Sequence, residues 1–134
     1  MSLTVRALTE NDYDLLSEWW TAWKWETPPR AFLPLNGLSG AMVQSDGVDV
    51  CAGFLYLSNS SVAWVDWIVS NPEYRKKDRK DAIKLLIQTL ESMSVVGGAT
   101  CVYALLKHDG LIETYKELGF TQGDTYNSEM IKWQ

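Results

Sequence analysis

Hydrophobic residues along the chain follow two different spacings, which predicts a mixture of strands and helices. Short apolar runs bounded by turn-forming residues predict strands at 3–8, 38–44, 48–57, 62–70, 100–106 and 130–133. Apolar residues spaced three and four apart predict three helices, one carrying Leu15 to Trp23, one at 79–93 and one at 111–118. The elements together make one domain over residues 1–134, long enough to bury a core.

The middle strands are joined by tight turns and form a predicted antiparallel meander. Asp46-Gly47 favours a two-residue connection, and Ser58 to Ser61 turns the second strand into the third. The third strand is apolar except for Asp66, which predicts a central strand covered on both faces. A right-handed crossover through the next helix makes strand 100–106 parallel to the third strand, so the sheet is mixed.

Each predicted helix begins at a residue that suits the N-cap position. Thr9 precedes the first helix, with Asp12 three residues later, and Asp78 and Asp109 precede the second and third. Gly119 is a good left-handed terminator for the third helix.

Composition narrows the class of protein. No apolar run is long enough to span a bilayer and there is no signal region, so we expect a soluble cytoplasmic protein without membrane partners. Cys51 and Cys101 lie in apolar strand segments without metal-ligand spacing, which predicts reduced core residues and no metal site. The net charge of −5 argues against nucleic-acid binding.

The first helix and the loop after it are rich in tryptophan. Four tryptophans lie between Trp19 and Trp25. One interpretation places Leu16, Trp19, Trp20 and Trp23 on the core-facing side. The other has some of them, with Trp25, form the wall of a pocket. The proline-stiffened segment 27–34 that follows is predicted to be a loop.

The chemistry concentrates where strand 62–70 leads into the second helix. Five of the twelve basic residues lie between Arg75 and Lys80, a segment we call the basic turn. Free N–H groups at a helix start and the helix dipole favour an anion there. In the alternative, the turn is merely solvated and the Asp78 carboxylate caps the helix, accepting the same N–H groups that an anion would need.

These residues resemble a known family. Pro72-Glu73-Tyr74-Arg75, followed by a charged turn and a helix, resembles the acyl-CoA-binding motif of the GNAT superfamily of N-acetyltransferases. Arg75 stands where the motif starts, but Asp78 and Lys80 occupy its two glycine positions. The segment 115–120, Tyr-Lys-Glu-Leu-Gly-Phe, resembles the family's late Tyr-x-x-x-Gly-Phe signature, and His108 stands where an Asn is usual.

The resemblance implies an α/β GNAT fold and acetyl-CoA as co-substrate. The basic turn would hold the pyrophosphate through Arg75, Lys76, Lys77, Asp78, Arg79 and Lys80. In that fold the two parallel strands splay apart, and the backbone of Ile68, Val69 and Ser70 would pair with the pantetheine arm. Tyr115 would donate a proton to the departing thiolate, although it also fits a core position on its helix.

The remaining site residues are candidates for proton removal and for acceptor contact. Asp66 is a base with a raised pKa, an exposed residue at the splayed strand end, or the partner of a cation. His108 acts as a base, contacts the CoA arm or is an exposed bystander. Trp25, Arg30 and Phe32 are predicted to contact the acceptor.

Two functions from different classes follow. The first is N-acetyl transfer by direct attack of a small-molecule or protein amine. The second is a GNAT-fold protein without catalysis that has lost CoA binding and binds a partner through its tryptophan-rich face. Exposed tryptophan on that face would also suit a homodimer interface.

Overall fold

A five-stranded mixed sheet forms the centre of the structure, with the strands in sequence order. The computed structural model describes residues 2–126 and 128–134. The strands are β1 (Leu3–Ala7), β2 (Gly40–Ser45), β3 (Val48–Leu57), β4 (Val62–Ser70) and β5 (Cys101–Tyr103). The helices are α1 (Asp12–Ala22), α2 (Arg79–Val96) and α3 (Asp109–Glu117). The observed β3 and β4 coincide with the predicted segments, and the α/β class is confirmed.

The predicted meander is confirmed, since β2, β3 and β4 pair antiparallel. Asp46 and Gly47 have φ angles of 49° and 83°, the left-handed pair that a tight hairpin between β2 and β3 requires. The predicted crossover is confirmed as well, because β5 runs parallel to β4. It pairs only with Val62, Ala63 and Trp64. Within residues 2–126 and 128–134, no strand lies beside the rest of β4 on that side, and we call the resulting gap the wedge.

A bulge bends β4 at the point where the wedge opens. Trp67 and Ile68 together oppose Gly53 of β3, and Trp67 has a φ of 60°, which is rare for a residue other than glycine. A Cβ atom at Gly53 would lie 2.5 Å from Cδ1 of Ile68. A side chain at residue 53 would therefore displace the end of the Ile68 side chain.

Both faces of the sheet are covered, as predicted for β4. Beneath α2, Leu86 and Leu90 pack with Val65 in one apolar cluster. On the opposite face, α1 packs Trp19 and Trp20 in a second cluster, which confirms the core interpretation for these two tryptophans. Among the described residues, no helix is both long and apolar enough to cross a bilayer.

Among the described residues no side chain caps any of these three helices, so the predicted capping bonds are wrong, although Asp78 does occupy the N-cap position of α2 as predicted. At α1 the Thr9 side chain does not accept a hydrogen bond from the helix. Instead, the Asp12 carboxylate accepts the Thr9 N–H at 2.7 Å and two hydrogen bonds from Arg6 at 2.8 Å. At α3, Asp109 is the first helical residue rather than the cap. The predicted terminator is confirmed, because Gly119 has a φ of 94°.

Two further expectations are wrong. The predicted strand at 130–133 is irregular and exposed, because Trp133 packs its ring on Phe32, at 5.1 Å between centroids, rather than extending along a sheet edge. Cys51 is a buried free thiol, as predicted, but Cys101 is exposed because it lies in β5 at the edge of the sheet.

Candidate active site

A cavity of about 250 Å³ lies in the wedge, where β4 has separated from β5. It is closed by the end of β4, the start of α2 and the start of α3. Six of the predicted site residues line it, namely Trp25, Ile68, Val69, Ser70, Arg79 and His108. Trp23, Ile83 and Leu111 line it too, so the cavity has apolar walls with a cation at one end.

An aromatic stack, formed by Trp23, Trp25 and His108, makes one wall of this cavity. The Trp23 and Trp25 ring centroids lie 5.8 Å apart, and those of Trp25 and His108 lie 4.7 Å apart, each pair nearly parallel. The Trp23 indole N–H donates to the carbonyl oxygen of Ser70 at 2.8 Å. Trp23 is therefore a half-buried wall residue rather than a core residue, and the pocket interpretation holds for it and for Trp25.

The basic turn surrounds the start of α2 with positive charge. Arg75, Lys76 and Lys77 are exposed to solvent. Arg79 is half-buried, with its guanidinium carbon 5.5 Å from the centre of the Trp23 ring, so it links the turn to the cavity wall. The cations thus lead from the protein surface to one end of the cavity.

Asp78 does not act as the predicted cap, because its carboxylate faces the protein interior. It accepts hydrogen bonds from the Tyr74 hydroxyl and from the Ser45 hydroxyl, the latter at 2.7 Å. These donors, Tyr74 first, hold the pKa of Asp78 below its ordinary value. The Asp78 side chain therefore does not cap the first turn of α2, which carries one acidic residue, Asp81.

The second residue at a motif glycine position, Lys80, ties α2 to α3. Its ammonium nitrogen lies 3.1 Å from a carboxylate oxygen of Glu117, and that of Lys84 lies 2.8 Å from the other. These two lysines, Lys84 first, lower the pKa of Glu117. The side chain of Lys80 therefore points along the helix surface toward α3.

Tyr115 lies behind the cavity wall. It follows Thr114, which lines the cavity, but its own ring is only 3 % exposed and packs edge-on against Phe120 at 4.8 Å. Within the described residues, its hydroxyl is the buried side-chain polar atom that has no hydrogen-bond partner. Burial raises the pKa of Tyr115 well above its ordinary value, so the hydroxyl keeps its proton at neutral pH. This position fits the packing interpretation, whereas proton donation stays a prediction because Tyr115 does not line the cavity.

Asp66 is half-buried on β4, next to the bulge. Its carboxylate accepts the N–H of Trp67 at 2.7 Å, which stabilises the left-handed backbone of that residue. Burial raises the pKa of Asp66 above its ordinary value. In the described part of the chain Asp66 forms no salt bridge, so the interpretation as the partner of a cation is wrong, and Asp66 is not one of the residues that line the cavity.

The three residues predicted for acceptor contact separate in the structure. Trp25 lines the cavity. Phe32 packs against Trp133, and its carbonyl oxygen accepts the Tyr56 hydroxyl at 2.8 Å. Arg30 turns away to α1, where its guanidinium carbon lies 4.5 Å from the centre of the Tyr13 ring. The structure therefore brings Trp25 to the cavity and leaves Arg30 outside it.

No protein-family model and no curated protein matches the sequence. Solved structures do match. An acetyltransferase of Trypanosoma brucei is 20% identical with a TM-score of 0.66, over 97% of this chain and 100% of the other. AAC(6')-Iy in complex with the bisubstrate analogue CoA-S-monomethyl-acetylneamine is 15% identical with a TM-score of 0.69, over 99% and 100%.

A third structure shows the same fold inside a longer chain. N-acetylglutamate synthase from Neisseria gonorrhoeae, complexed with coenzyme A and L-arginine, is 14% identical with a TM-score of 0.74. The match covers 91% of this chain and 28% of that one. At these identities the likeness concerns the fold. The chain thus has the fold of the GNAT acetyltransferases, as its sequence motifs predicted.

Proposed function

We propose that this protein is an N-acetyltransferase that moves the acetyl group of acetyl-CoA directly to a primary amine. The observation that carries the proposal is the cavity in the wedge, which lies between the backbone of β4 and a cationic helix start. A long, flexible thioester with a polyanionic end fits such a site, because the arm lies in the wedge while the phosphates meet the basic turn. Two of the structural neighbours carry CoA or a CoA-containing analogue in their own crystals.

The acyl transfer assigns distinct roles to the residues at the wedge. The amine nitrogen attacks the thioester carbonyl carbon, the carbon–sulfur bond breaks, and the amine loses one proton while the thiolate gains one. Burial raises the pKa of Asp66, and this residue is our candidate to accept the amine proton through water. Tyr115, whose hydroxyl has no hydrogen-bond partner in the described part of the chain and whose pKa is raised by burial, is our candidate to donate to the sulfur.

Binding of acetyl-CoA is the first experiment. Calorimetry should give a dissociation constant that weakens as salt is raised, because the basic turn meets the phosphates through exposed cations. A double variant, Lys76→Ala with Lys77→Ala, should bind at least about tenfold more weakly. The matched control removes two exposed lysines elsewhere, Lys116→Ala with Lys132→Ala, and should bind like the natural protein.

Thiol release in the presence of a panel of small primary amines and lysine peptides then tests transfer. Release that depends on one of the amines supports the enzyme. If acetyl-CoA does not bind at millimolar concentration, the proposal is refuted.

The second candidate function is a binding protein without catalysis, and one contact favours it. The Trp23 indole occupies the Ser70 carbonyl, which the pantetheine arm would otherwise use. If the indole keeps this bond, the arm loses one backbone contact in the wedge. Failure of CoA to bind the natural protein, with binding restored in a Trp23→Phe variant, would favour this second candidate.

A further inference from the structure

The buried carboxylate of Asp78 is unusual because it lies inside a cationic segment. The residue is only 6% exposed although five basic residues surround it in sequence. Its two hydrogen bonds come from different parts of the fold: Ser45 ends β2, whereas Tyr74 lies four residues earlier in the approach to α2. Asp78 therefore fixes the approach to the helix against the sheet.

The Tyr74–Asp78 bond also closes a short loop. Tyr74 is itself buried in the cluster beneath α2. The three residues between the two bonded side chains are Arg75, Lys76 and Lys77, all of them exposed. Both ends of the cationic loop are thus anchored in the interior, and its side chains project into solvent.

The backbone at Asp78 does not require glycine. Its φ of −84° and ψ of 5° are open to any residue. Its carbonyl oxygen accepts the Ala82 N–H at 2.9 Å, so the residue opens the helix in the usual way. A glycine at this motif position would leave space for a ligand, and an inward side chain leaves the same space.

We propose that Asp78 is a positioning residue for the diphosphate of acyl-CoA: by bonding Tyr74 and Ser45, it presents the 75–77 loop and an uncapped helix start to that group. This inference rests on the proposed function. It assigns to a buried acid the task that a glycine has in the resembling motif. The buried negative charge is stabilised by the two hydroxyl groups that donate to it, and the five basic residues around it in sequence outnumber it.

Titration with two ligands distinguishes a positioning role of Asp78 from a general role in stability. CoA carries the diphosphate, whereas pantetheine has the same arm without it. Both can be titrated by tryptophan fluorescence, because Trp23 and Trp25 line the cavity. A loop that has lost its anchor should weaken CoA and leave pantetheine unchanged.

The variants are Asp78→Asn, Asp78→Ala and Asp78→Gly, with Tyr74→Phe as a milder change that keeps the ring. Asn can accept from Tyr74 and donate to Ser45, so it should bind CoA within about threefold of the natural protein. Ala, Gly and the Tyr74 variant should bind CoA at least about fivefold more weakly, with pantetheine unchanged within about twofold. Circular dichroism at the titration temperature confirms that each variant is folded.

Several results would overturn the inference. Equal or tighter CoA binding by the Ala or Gly variant would make Asp78 irrelevant or obstructive. Parallel loss of CoA and pantetheine would make its role merely structural. If the natural protein binds pantetheine but not CoA, the inference fails while the wedge remains a ligand site. If it binds neither, the proposed function fails as well.

Discussion

Tyr115→Phe should make the protein more stable and, if the proposed function is right, a slower enzyme. The variant removes only the hydroxyl oxygen, and the ring that packs on Phe120 remains. That oxygen is buried without a partner, and such a group costs about 1–3 kcal/mol of stability. Its removal should therefore raise the free energy of unfolding by at least about 1 kcal/mol.

For a domain of 134 residues, this gain corresponds to a rise in Tm of about 4 °C. Differential scanning calorimetry at pH 7 measures it directly. The same variant should lower kcat by about a hundredfold, because proton donation to a leaving group contributes on that order. KM for acetyl-CoA should change little, since Tyr115 does not line the cavity.

Tyr74→Phe is the matched control, since it removes the same atom from another buried tyrosine. The Tyr74 hydroxyl donates to Asp78, so this variant should have a lower Tm. A fall in Tm for Tyr115→Phe would refute the reasoning, because it would mean that the hydroxyl has a partner. A higher Tm with unchanged kcat would confirm the packing interpretation and remove Tyr115 from the mechanism.

Three further predictions concern single contacts. Trp23→Phe keeps an aromatic side chain but removes the indole N–H that donates to the Ser70 carbonyl, so calorimetry should show acetyl-CoA binding about threefold to tenfold tighter. Unchanged affinity would mean that the arm does not use this carbonyl. Asp12→Asn breaks a charged pair with the partly solvated Arg6 and should lower the free energy of unfolding by about 1–2 kcal/mol in urea titrations at pH 7. Arg6 also lowers the pKa of Asp12, so near this pKa the native state binds fewer protons than the unfolded chain. The difference in the free energy of unfolding between the natural protein and the variant should therefore shrink as the pH falls below the ordinary pKa of 3.8, and a constant difference would contradict this. Burial raises the pKa of the Cys51 thiol from 9.0 to about 12, so above pH 9 the native state keeps a proton that the unfolded chain loses. The free energy of unfolding should therefore fall with pH above 9, and in Cys51→Ala this fall should be smaller by about 1.4 kcal/mol per pH unit. An equal slope in both proteins would show that the thiol is solvated.

Local sequence was sufficient to predict the strands and helices that are bounded by turn-forming residues. The β2–β3 hairpin follows from Asp46 and Gly47, whose backbone adopts the left-handed pair that the turn needs. The strand at 130–133 failed because a strand also needs a partner edge, and the pattern of four residues cannot supply one.

Side-chain direction at the site could not be predicted from local sequence. Asp78 has the residue type and position of an N-cap, but its carboxylate bonds Ser45, 33 residues earlier. Trp23 has the spacing of a core residue, but its indole bonds Ser70, 47 residues later. Each contact is set by the packing of α1 or α2 on the sheet. The high number of tryptophans near residue 23 was the one feature of the sequence that indicated a pocket wall.

The shape of the wedge also has a consequence for the tolerance of the protein to mutation. Gly53 lies on β3, does not line the cavity and would not be found by a search for binding residues. Yet a Cβ atom there would lie 2.5 Å from Cδ1 of Ile68 and would displace that side chain, which does line the cavity. A damaging substitution at residue 53 could therefore abolish ligand recognition while leaving every lining residue unchanged, so genetic screens for loss of activity should recover positions outside the site.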